Sequence, residues 1–168
     1  QKAKDAGAAL VFLPFYYSEA SLVLKQAAGM NYSPIFFGCD GMDGILAVEG
    51  FDANLANDLI FLSPFTPTSE DEAIQNFVTS FQDTYGGTPN QFAADAYDGI
   101  YAIKAAVEKA GSTADMSASD LCEALKTAMT EITIDGVTAK SLTWEASGEP
   151  SKEPMVVKIA NGDYAVVE

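Results

Sequence analysis

The sequence predicts an α/β fold in which parallel strands alternate with helices. Three apolar runs carry the strand signals: ALVFLPFYY (9–17), PIFFGCD (34–40) and LIFLSPF (59–65). Each run is apolar at successive positions rather than at alternate ones, which is typical of strands that are buried on both faces. Helical segments separate the runs, and this alternation favours parallel pairing because parallel strands need a long crossover.

The crossovers have their own signals. Ser18 is the predicted N-cap of the helix EASLVLKQAAGM, which joins the first two strands. A second helical segment, MDGILAVEGF, follows the strand at 34–40. The first 65 residues therefore read as a βαβαβ unit.

The pattern then changes to three helices between Ser69 and about Thr130. Ser69 and Glu72 form a capping-box pattern at the start of the first helix, and YGGTP (85–89) ends it. The second runs from about Asn90 to Gly111, and the third has Ser117 as its predicted cap. Since no strand separates these helices, we expect them to pack on a sheet that is supplied elsewhere.

From about Ile134 the pattern returns to β structure. The strand signals are SLTWE, PMVVKIA and DYAVV, and Trp144 is expected to pack within the first of them. Asn161 and Gly162 separate the last two and indicate a tight hairpin. A chain with this order is predicted to pass between two lobes.

Composition excludes several classes of function. The net charge is −15, with 24 acidic residues against nine lysines, and there is no arginine or histidine. Such a surface repels phosphate backbones, so nucleic acid is not an expected partner. Without histidine the chain lacks the commonest general base and the commonest metal ligand, which disfavours an enzyme. No cofactor or metal site is predicted.

The remaining acidic and sulfur-bearing candidates have structural interpretations. Cys39 and Cys122 fit no metal spacing and are expected to be buried free thiols, although a disulfide between them stays open. DGMDG (40–44) lacks the ligand register of a calcium loop and is interpreted as a loop. Asp95 and Asp98 lie on a predicted helix and are expected to face solvent.

A candidate ligand site lies where the strands end. In open parallel sheets, ligands bind beyond the carboxyl ends of the strands. Those ends carry Tyr16 and Tyr17 on the first strand and Asp40 on the second. Aromatic rings beside a carboxylate suit a small ligand with an ammonium group and an apolar body. Two alternatives stay open at this point, namely that the tyrosines are packing residues and that Asp40 caps the next helix.

The ordered segments of the chain resemble one family. LVFLPFYYSEASLVLKQAAGMNYSPIFFGCDG, LIFLSPFTP, YGGTPNQFAADAYDGIYAIKAAVEKAG and GVTAKSLTWEASGEPSKEPMVVKIANGDYAVV together are similar to the C-terminal half of a type I periplasmic solute-binding protein. The particular resemblance is to the branched-chain amino-acid (Leu/Ile/Val) binding group of ABC importers. It covers nearly the whole chain.

The resemblance implies a periplasmic-binding-protein type I fold of two lobes with Rossmann-like parallel sheets, of which the N-terminal half is missing here. Residues 1–64 would form a βαβαβ segment of the second lobe, and 65–143 would be helices of the first lobe. Residues 144–168 would return to the second lobe and end in the C-terminal β-hairpin. The helices without strands of their own would then pack on a sheet in the missing half.

The resemblance also implies ligand-binding residues. A tyrosine and an acid of the family match Tyr16 and Asp40, with Gly41 beside the acid, and the acid would hold the ligand's α-ammonium group. Phe92 matches an aromatic position that packs on the ligand side chain from the other lobe. Tyr17 points away from Tyr16 and is assigned to the core or the rim. Pro14 and Phe15 depart from the family pattern, which has small residues before the tyrosines.

The function implied is that of an extracytoplasmic solute-binding component, periplasmic or a cell-surface lipoprotein, that binds an amino acid without catalysis. Its partners would be an ABC permease and the missing N-terminal half, and the fragment would be prone to self-association. One alternative is a ligand-sensing regulatory domain of the same fold. The other is an enzyme on a flavodoxin-like or Rossmann-like sheet, which the lack of a glycine-rich phosphate loop disfavours.

Overall fold

The computed structural model describes residues 1–167 and contains two compact units. The first unit is formed by Gln1–Asp71 together with the described residues from Pro154 onward, and the second by Glu72–Glu153. Within residues 1–167, no helix has the length and apolar character needed to cross a membrane.

The first unit is built on a five-stranded mixed sheet. Its strands are β1 (Leu10–Leu13), β2 (Ile35–Gly38), β3 (Ile60–Ser63), β4 (Met155–Ala160) and β5 (Asp163–Val166). Their order in space is β1-β2-β3-β4-β5; the first three are parallel, while β4 and β5 are antiparallel. Asn161 and Gly162 both have positive φ, as the turn of a tight hairpin requires. The predicted α/β class and the C-terminal hairpin are confirmed.

The helical crossovers of this unit differ in part from the prediction. Helix α1 spans Lys2–Asp5 and helix α2 spans Tyr17–Gly29. The N-cap of α2 is Tyr16, so the prediction that Ser18 caps this helix is wrong, and the Ser18 hydroxyl donates to Glu19 instead. The predicted helix MDGILAVEGF is also absent. Gly44, with φ at +108°, separates two short 3₁₀ turns there, because a left-handed residue interrupts a right-handed helix.

One face of the sheet carries the core and the other does not. Leu13, Met42, Ile45 and Phe61 are buried in one cluster with residues of α2 and β4. On the opposite face, Leu10, Phe12 and Ile35 are about half-exposed. The prediction that the strands are buried on both faces is therefore wrong for β1 and the start of β2 within the described residues.

The second unit is helical. It contains α3 (Glu72–Tyr85), α4 (Gln91–Ala110) and α5 (Ala118–Met129), as the sequence predicted. Asn90 and Ser117 accept hydrogen bonds from the first turns of α4 and α5, and Gly111, in the left-handed conformation, ends α4. Ser69 lies ahead of α3 and accepts a hydrogen bond from the Asp71 backbone N–H, so α3 begins later than the predicted capping box places it.

A buried carboxylate corrects the expectation for α4. Asp98 is 3% exposed rather than facing solvent. It accepts hydrogen bonds from the backbone N–H groups of Val137 and Thr138, at 2.8 and 2.9 Å, and a third from the Thr138 hydroxyl. Asp98 therefore links α4 to the loop of Val137 and Thr138, which lies about forty positions later in the chain.

The segment around Trp144 belongs to the second unit. Its β structure is limited to two isolated bridges, and no extended strand forms over SLTWE. The Trp144 ring packs with the cluster of Ala106, Ala128 and Ile132, while Lys152 pairs with Asp95 on α4. The chain leaves the first unit after Asp71 and returns to it after Glu153. The assignment of 1–64, 65–143 and 144–168 to lobes stays a prediction.

Both cysteines are free thiols, but neither is fully buried. Cys39 is half-buried and Cys122 is exposed. The residues of α5 that pack against the cluster, Leu125, Ala128 and Met129, lie in the carboxyl-terminal half of the helix. Cys122 precedes them, and its predicted burial is wrong.

Candidate functional site

Tyr16 lies just beyond the carboxyl end of β1. Pro14 follows β1 and supplies no N–H to a strand ladder, so the chain leaves the sheet there. Tyr16 then adopts an extended conformation as the N-cap of α2, and its carbonyl accepts the first helical hydrogen bond from Ala20. Its side chain is 62% exposed, whereas Tyr17 packs against the core cluster. The two tyrosines therefore differ in the way that the sequence predicted.

Asp40 and Gly41 lie beyond the carboxyl end of the neighbouring strand. β2 ends at Gly38, and a 3₁₀ turn spans Asp40–Met42. The N-cap of this turn is Cys39, so Asp40 lies within the turn instead of capping a helix. Asp40 remains at the rim of the sheet, where the sequence analysis placed it.

Gly41 brings the two strand ends together. A Cβ atom added to this buried glycine would lie 2.8 Å from the carbonyl oxygen of Phe15 and 3.3 Å from the Cα of Tyr16. The backbone of the turn thus packs directly on the backbone that leads into α2. The structure brings three predicted site residues, Tyr16, Asp40 and Gly41, into one small region.

A second glycine and a buried methionine anchor the same turn to the sheet. The Met42 side chain is fully buried and occupies the space over Gly38, where an added Cβ would lie 2.1 Å from Met42 Cγ. Main-chain hydrogen bonds from Met42 to Cys39 and from Asp43 to Asp40 close the turn. The position of Asp40 is therefore set by packing on both sides of it.

Two residues that the sequence analysis did not select complete this region. Asp43 is 2% exposed, and its charge acts on the hydroxyl of Tyr164 on β5. Burial and the nearby charge of Asp43 raise the pKa of Tyr164 well above its usual value, so the hydroxyl stays protonated and remains a donor.

The signal for this pair in the sequence is weak. Asp43 belongs to DGMDG, which the sequence analysis interpreted as a loop, and Tyr164 appears as one residue of a hairpin strand. Nothing local connects two residues so far apart in the chain. Only the antiparallel return of β4 and β5 beside β3 brings them together.

Phe92 belongs to the second unit. It lies in the first turn of α4, where the Asn90 side chain accepts from the Ala93 N–H at 3.2 Å. Its predicted role on a ligand side chain stays a prediction.

The second unit also carries an aromatic groove, which lies between α3 and α4. Phe77 contacts Tyr97 with ring centroids 4.9 Å apart, and Phe81 contacts Tyr85 at 4.7 Å. Tyr97 donates a hydrogen bond to Tyr101 one turn along α4, and this bond raises the pKa of Tyr97. The groove offers apolar contact and few charged groups.

Metal binding has no support in the described chain. Across residues 1–167, no group of three or more Cys, Asp or Glu side chains is arranged to hold a metal ion.

A protein-family model described as "Periplasmic binding protein" matches residues 1–163. No curated protein sequence matches the chain.

Several solved structures have the same fold. One is a leucine binding protein, LivK, from Thermotoga maritima, with a TM-score of 0.80 and 20% identity over 99% of this chain and 46% of that one. Another is the branched-chain amino acid transporter substrate binding protein LivJ from Streptococcus pneumoniae in complex with isoleucine, with a TM-score of 0.76 and 25% identity over 95% and 44%. A third is an ABC transporter solute binding protein from R. palustris in complex with benzoate, with a TM-score of 0.82 and 18% identity over 99% and 44%. The chain spans less than half the length of each of these proteins.

Proposed function

Because the chain belongs to the periplasmic binding protein family, we propose that it forms part of an extracytoplasmic solute-binding component of an ABC importer that binds an amino acid. Family membership confirms the resemblance stated above, and the shared fold is the type I periplasmic fold. The family is one of binding proteins and not of enzymes, in agreement with the prediction from composition.

One observation supports a ligand that has an ammonium group. Gly41 packs on the backbone at Tyr16, and this contact holds an exposed aromatic ring and the carboxylate-bearing Asp40 at the same rim of the sheet. An ammonium group would pair with the carboxylate, and the tyrosine ring would pack on the carbon atoms beside it.

The ligands named for the similar structures sharpen this choice. Leucine and isoleucine carry an ammonium group, whereas benzoate is an anion without one. A ligand such as benzoate, which has a carboxylate but no ammonium group, would place its negative charge near the Asp40 carboxylate with no positive charge to offset it. This is unfavourable. The proposal therefore favours amino acids over benzoate.

The same proposal assigns two partners and a location. An ABC permease would receive the ligand, and the half of the protein not contained in this chain would supply the second wall of the cleft. The half-exposed apolar face of β1 and β2 supports a missing covering element, because an apolar sheet face is normally packed. The protein would act outside the cytoplasm, in the periplasm or anchored at the cell surface.

The role of Asp40 can be tested with Asp40→Asn in the full-length protein. The substitution keeps the size of the side chain and removes the charge, so a buried ammonium group would lose its partner. We expect the dissociation constant for leucine to rise by roughly 100-fold or more, since breaking a buried ion pair costs about 3–5 kcal/mol. Titration calorimetry measures this change directly, with benzoate as a second ligand.

Asp58→Asn is the matched control. Asp58 is an exposed acid of the same unit, paired with Lys158, and its positive φ suits asparagine equally well. It should leave leucine binding unchanged. Equal affinities of wild type and Asp40→Asn, or preferential binding of benzoate by the wild type, would contradict the proposal.

A further inference from the structure

The turn of the C-terminal hairpin contains a chemically reactive pair of residues. Asn161 precedes Gly162, and it is the only one of the six asparagines in the chain that is followed by glycine. Glycine has no Cβ, so nothing shields the backbone nitrogen of Gly162 from the neighbouring side chain. Asparagine is a thermolabile residue, and its side-chain amide is attacked most readily when glycine follows it.

Water reaches this turn freely. Asn161, Gly162 and the following Asp163 are all exposed. The turn joins β4 to β5, and Ala160 and Asp163 form the last residue pair before it. Loss of the side-chain amide releases ammonia and consumes water, so an exposed turn meets a requirement that the buried core does not.

One contact restrains the nitrogen that would attack. The Gly162 N–H donates to the side-chain oxygen of Asn57 at 3.3 Å, across 105 positions of the chain. Asn57 follows the 3₁₀ turn Ala53–Ala56, and a Cβ placed on Gly162 would lie 3.9 Å from the Ala53 Cβ. The hairpin turn therefore rests beside this 3₁₀ turn. The hydrogen bond stabilises the protonated nitrogen and directs its N–H toward Asn57.

We propose that Asn161 is the site of spontaneous deamidation in this protein and that Asn57 sets the rate of the reaction in the folded state. Base in the buffer removes the proton of the Gly162 N–H, and the nitrogen forms a bond to the side-chain carbonyl carbon of Asn161. The bond from that carbon to the amide nitrogen breaks, and ammonia leaves after the proton returns to it. A succinimide ring results, with no oxidation or reduction.

Water then opens the ring by breaking the bond from its nitrogen to one of the two carbonyl carbons. Cleavage at the side-chain carbonyl gives aspartate, while cleavage at the main-chain carbonyl gives isoaspartate, whose main chain contains an additional carbon atom. Either product adds a negative charge to a chain whose net charge is −15, close to Asp163. Isoaspartate also lengthens the turn that sets the register of β4 and β5, so we expect it to destabilise the hairpin.

The first test locates the modification. Full-length wild-type protein is kept in mildly alkaline buffer, and peptide mapping by mass spectrometry follows the conversion of each asparagine. We expect conversion at Asn161 before any at the other asparagines, because each of those precedes a residue with a side chain. Asn161→Gln should abolish the early mass increase of the hairpin peptide, since the longer side chain cyclises much more slowly. Earlier conversion at another asparagine would overturn the assignment.

The second test measures the contribution of Asn57. Asn57→Ala removes the acceptor of the Gly162 N–H, so deamidation of the folded protein should become roughly two- to tenfold faster, as for the loss of one hydrogen bond. The matched control is Asn54→Ala in the same region, where the Asn54 side chain donates to Asp52 at 3.0 Å. This control should leave the rate at Asn161 unchanged. Equal rates in wild type and Asn57→Ala would overturn the role of Asn57.

A third measurement, on the unfolded chain, separates this contact from an effect on the chemistry itself. In guanidinium chloride the contact is absent, so wild type and Asn57→Ala should deamidate at the same rate. The wild type should react roughly tenfold faster there than when folded, because the folded protein reacts only while the turn is open. Equal rates in the folded and unfolded wild type, or a difference between the two chains that persists in denaturant, would overturn the inference. None of these measurements needs a ligand, so their outcome is independent of the proposed function.

Discussion

Gly41 is the residue on which the geometry of the candidate site depends most directly. The atoms that a Cβ would meet there belong to the backbone of Phe15 and Tyr16, and they cannot rotate away as a flexible side chain could. Glycine at this position is required by space and not by backbone conformation, because its φ is not positive. The close approach sets the separation between the Tyr16 and Asp40 segments.

We expect Gly41→Ala to lower the free energy of unfolding by about 1–3 kcal/mol, as overpacking in a well-packed region does. It should also weaken leucine binding, since relief of the clash moves the turn away from Tyr16. Chemical denaturation and calorimetry on the full-length protein measure the two effects.

Gly29→Ala serves as the comparison for Gly41→Ala. Gly29 lies in the last turn of α2, where an added Cβ meets nothing within 4 Å. Alanine there should be neutral or stabilise the helix by up to about 1 kcal/mol. Equal effects of the two substitutions would show that the contact at Gly41 is not restrictive.

The general rule for parallel sheets was sufficient to predict where Tyr16 and Asp40 lie, because it depends only on where each strand ends. It could not reveal Asp43 or Tyr164, whose proximity requires the pairing of β3 with β4 and of β4 with β5. Charged residues such as Asp98 were assigned to solvent for the same reason. Their partners are distant in the chain, and burial of a carboxylate leaves no local pattern.

At the scale of elements, long periodic segments were predicted well and short ones were not. Helices α3, α4 and α5 carry their apolar stripes in the sequence, and Asn90 and Ser117 also mark the starts of α4 and α5, so the approximate limits of the helices follow. The stretch after β2 has helical composition, but Gly44 in the left-handed conformation divides it into 3₁₀ turns. The start of α2 was misplaced because Tyr16 has no side-chain cap and the nearby Ser18 has a typical capping residue type.

Asp98 joins two elements of the second unit, and its removal should be costly. Asp98→Ala leaves the buried N–H groups of Val137 and Thr138 without acceptors. At about 1–3 kcal/mol for each buried group left unsatisfied, we expect a loss of more than about 2 kcal/mol in the free energy of unfolding. Thermal and denaturant unfolding of the full-length protein measure this loss.

Asp95→Ala is the appropriate control, because Asp95 lies on the same helix and pairs with Lys152 at a partly exposed site. Such pairs contribute little, so the expected loss is below about 1 kcal/mol. A similar loss for both variants would mean that the hydrogen bonds to Asp98 contribute no more than an exposed ion pair.

At the scale of the whole molecule, each unit exposes large apolar side chains. In the first unit they lie on β1 and β2, at Leu10, Phe12 and Ile35. In the second unit they lie along α4, where Ile100 and Ile103 are 67% and 54% exposed. The chain also spans less than half the length of the similar solved structures, so the rest of such a protein is the covering partner that we propose.

This exposure predicts that residues 1–168 produced alone associate with one another, since apolar surface is buried whenever a partner is available. Replacement of Ile100 and Ile103 together by glutamine should reduce the association measured by analytical ultracentrifugation. The two side chains are exposed, so the substitutions remove apolar surface with little loss of packing within the unit. The matched control is Leu22→Gln on α2, a leucine that is 65% exposed on the other unit, and it should leave association nearly unchanged.

Co-production with the N-terminal half should suppress association of the wild-type chain. A wild-type chain that sediments as a monomer without that half would contradict the view that these surfaces are normally covered.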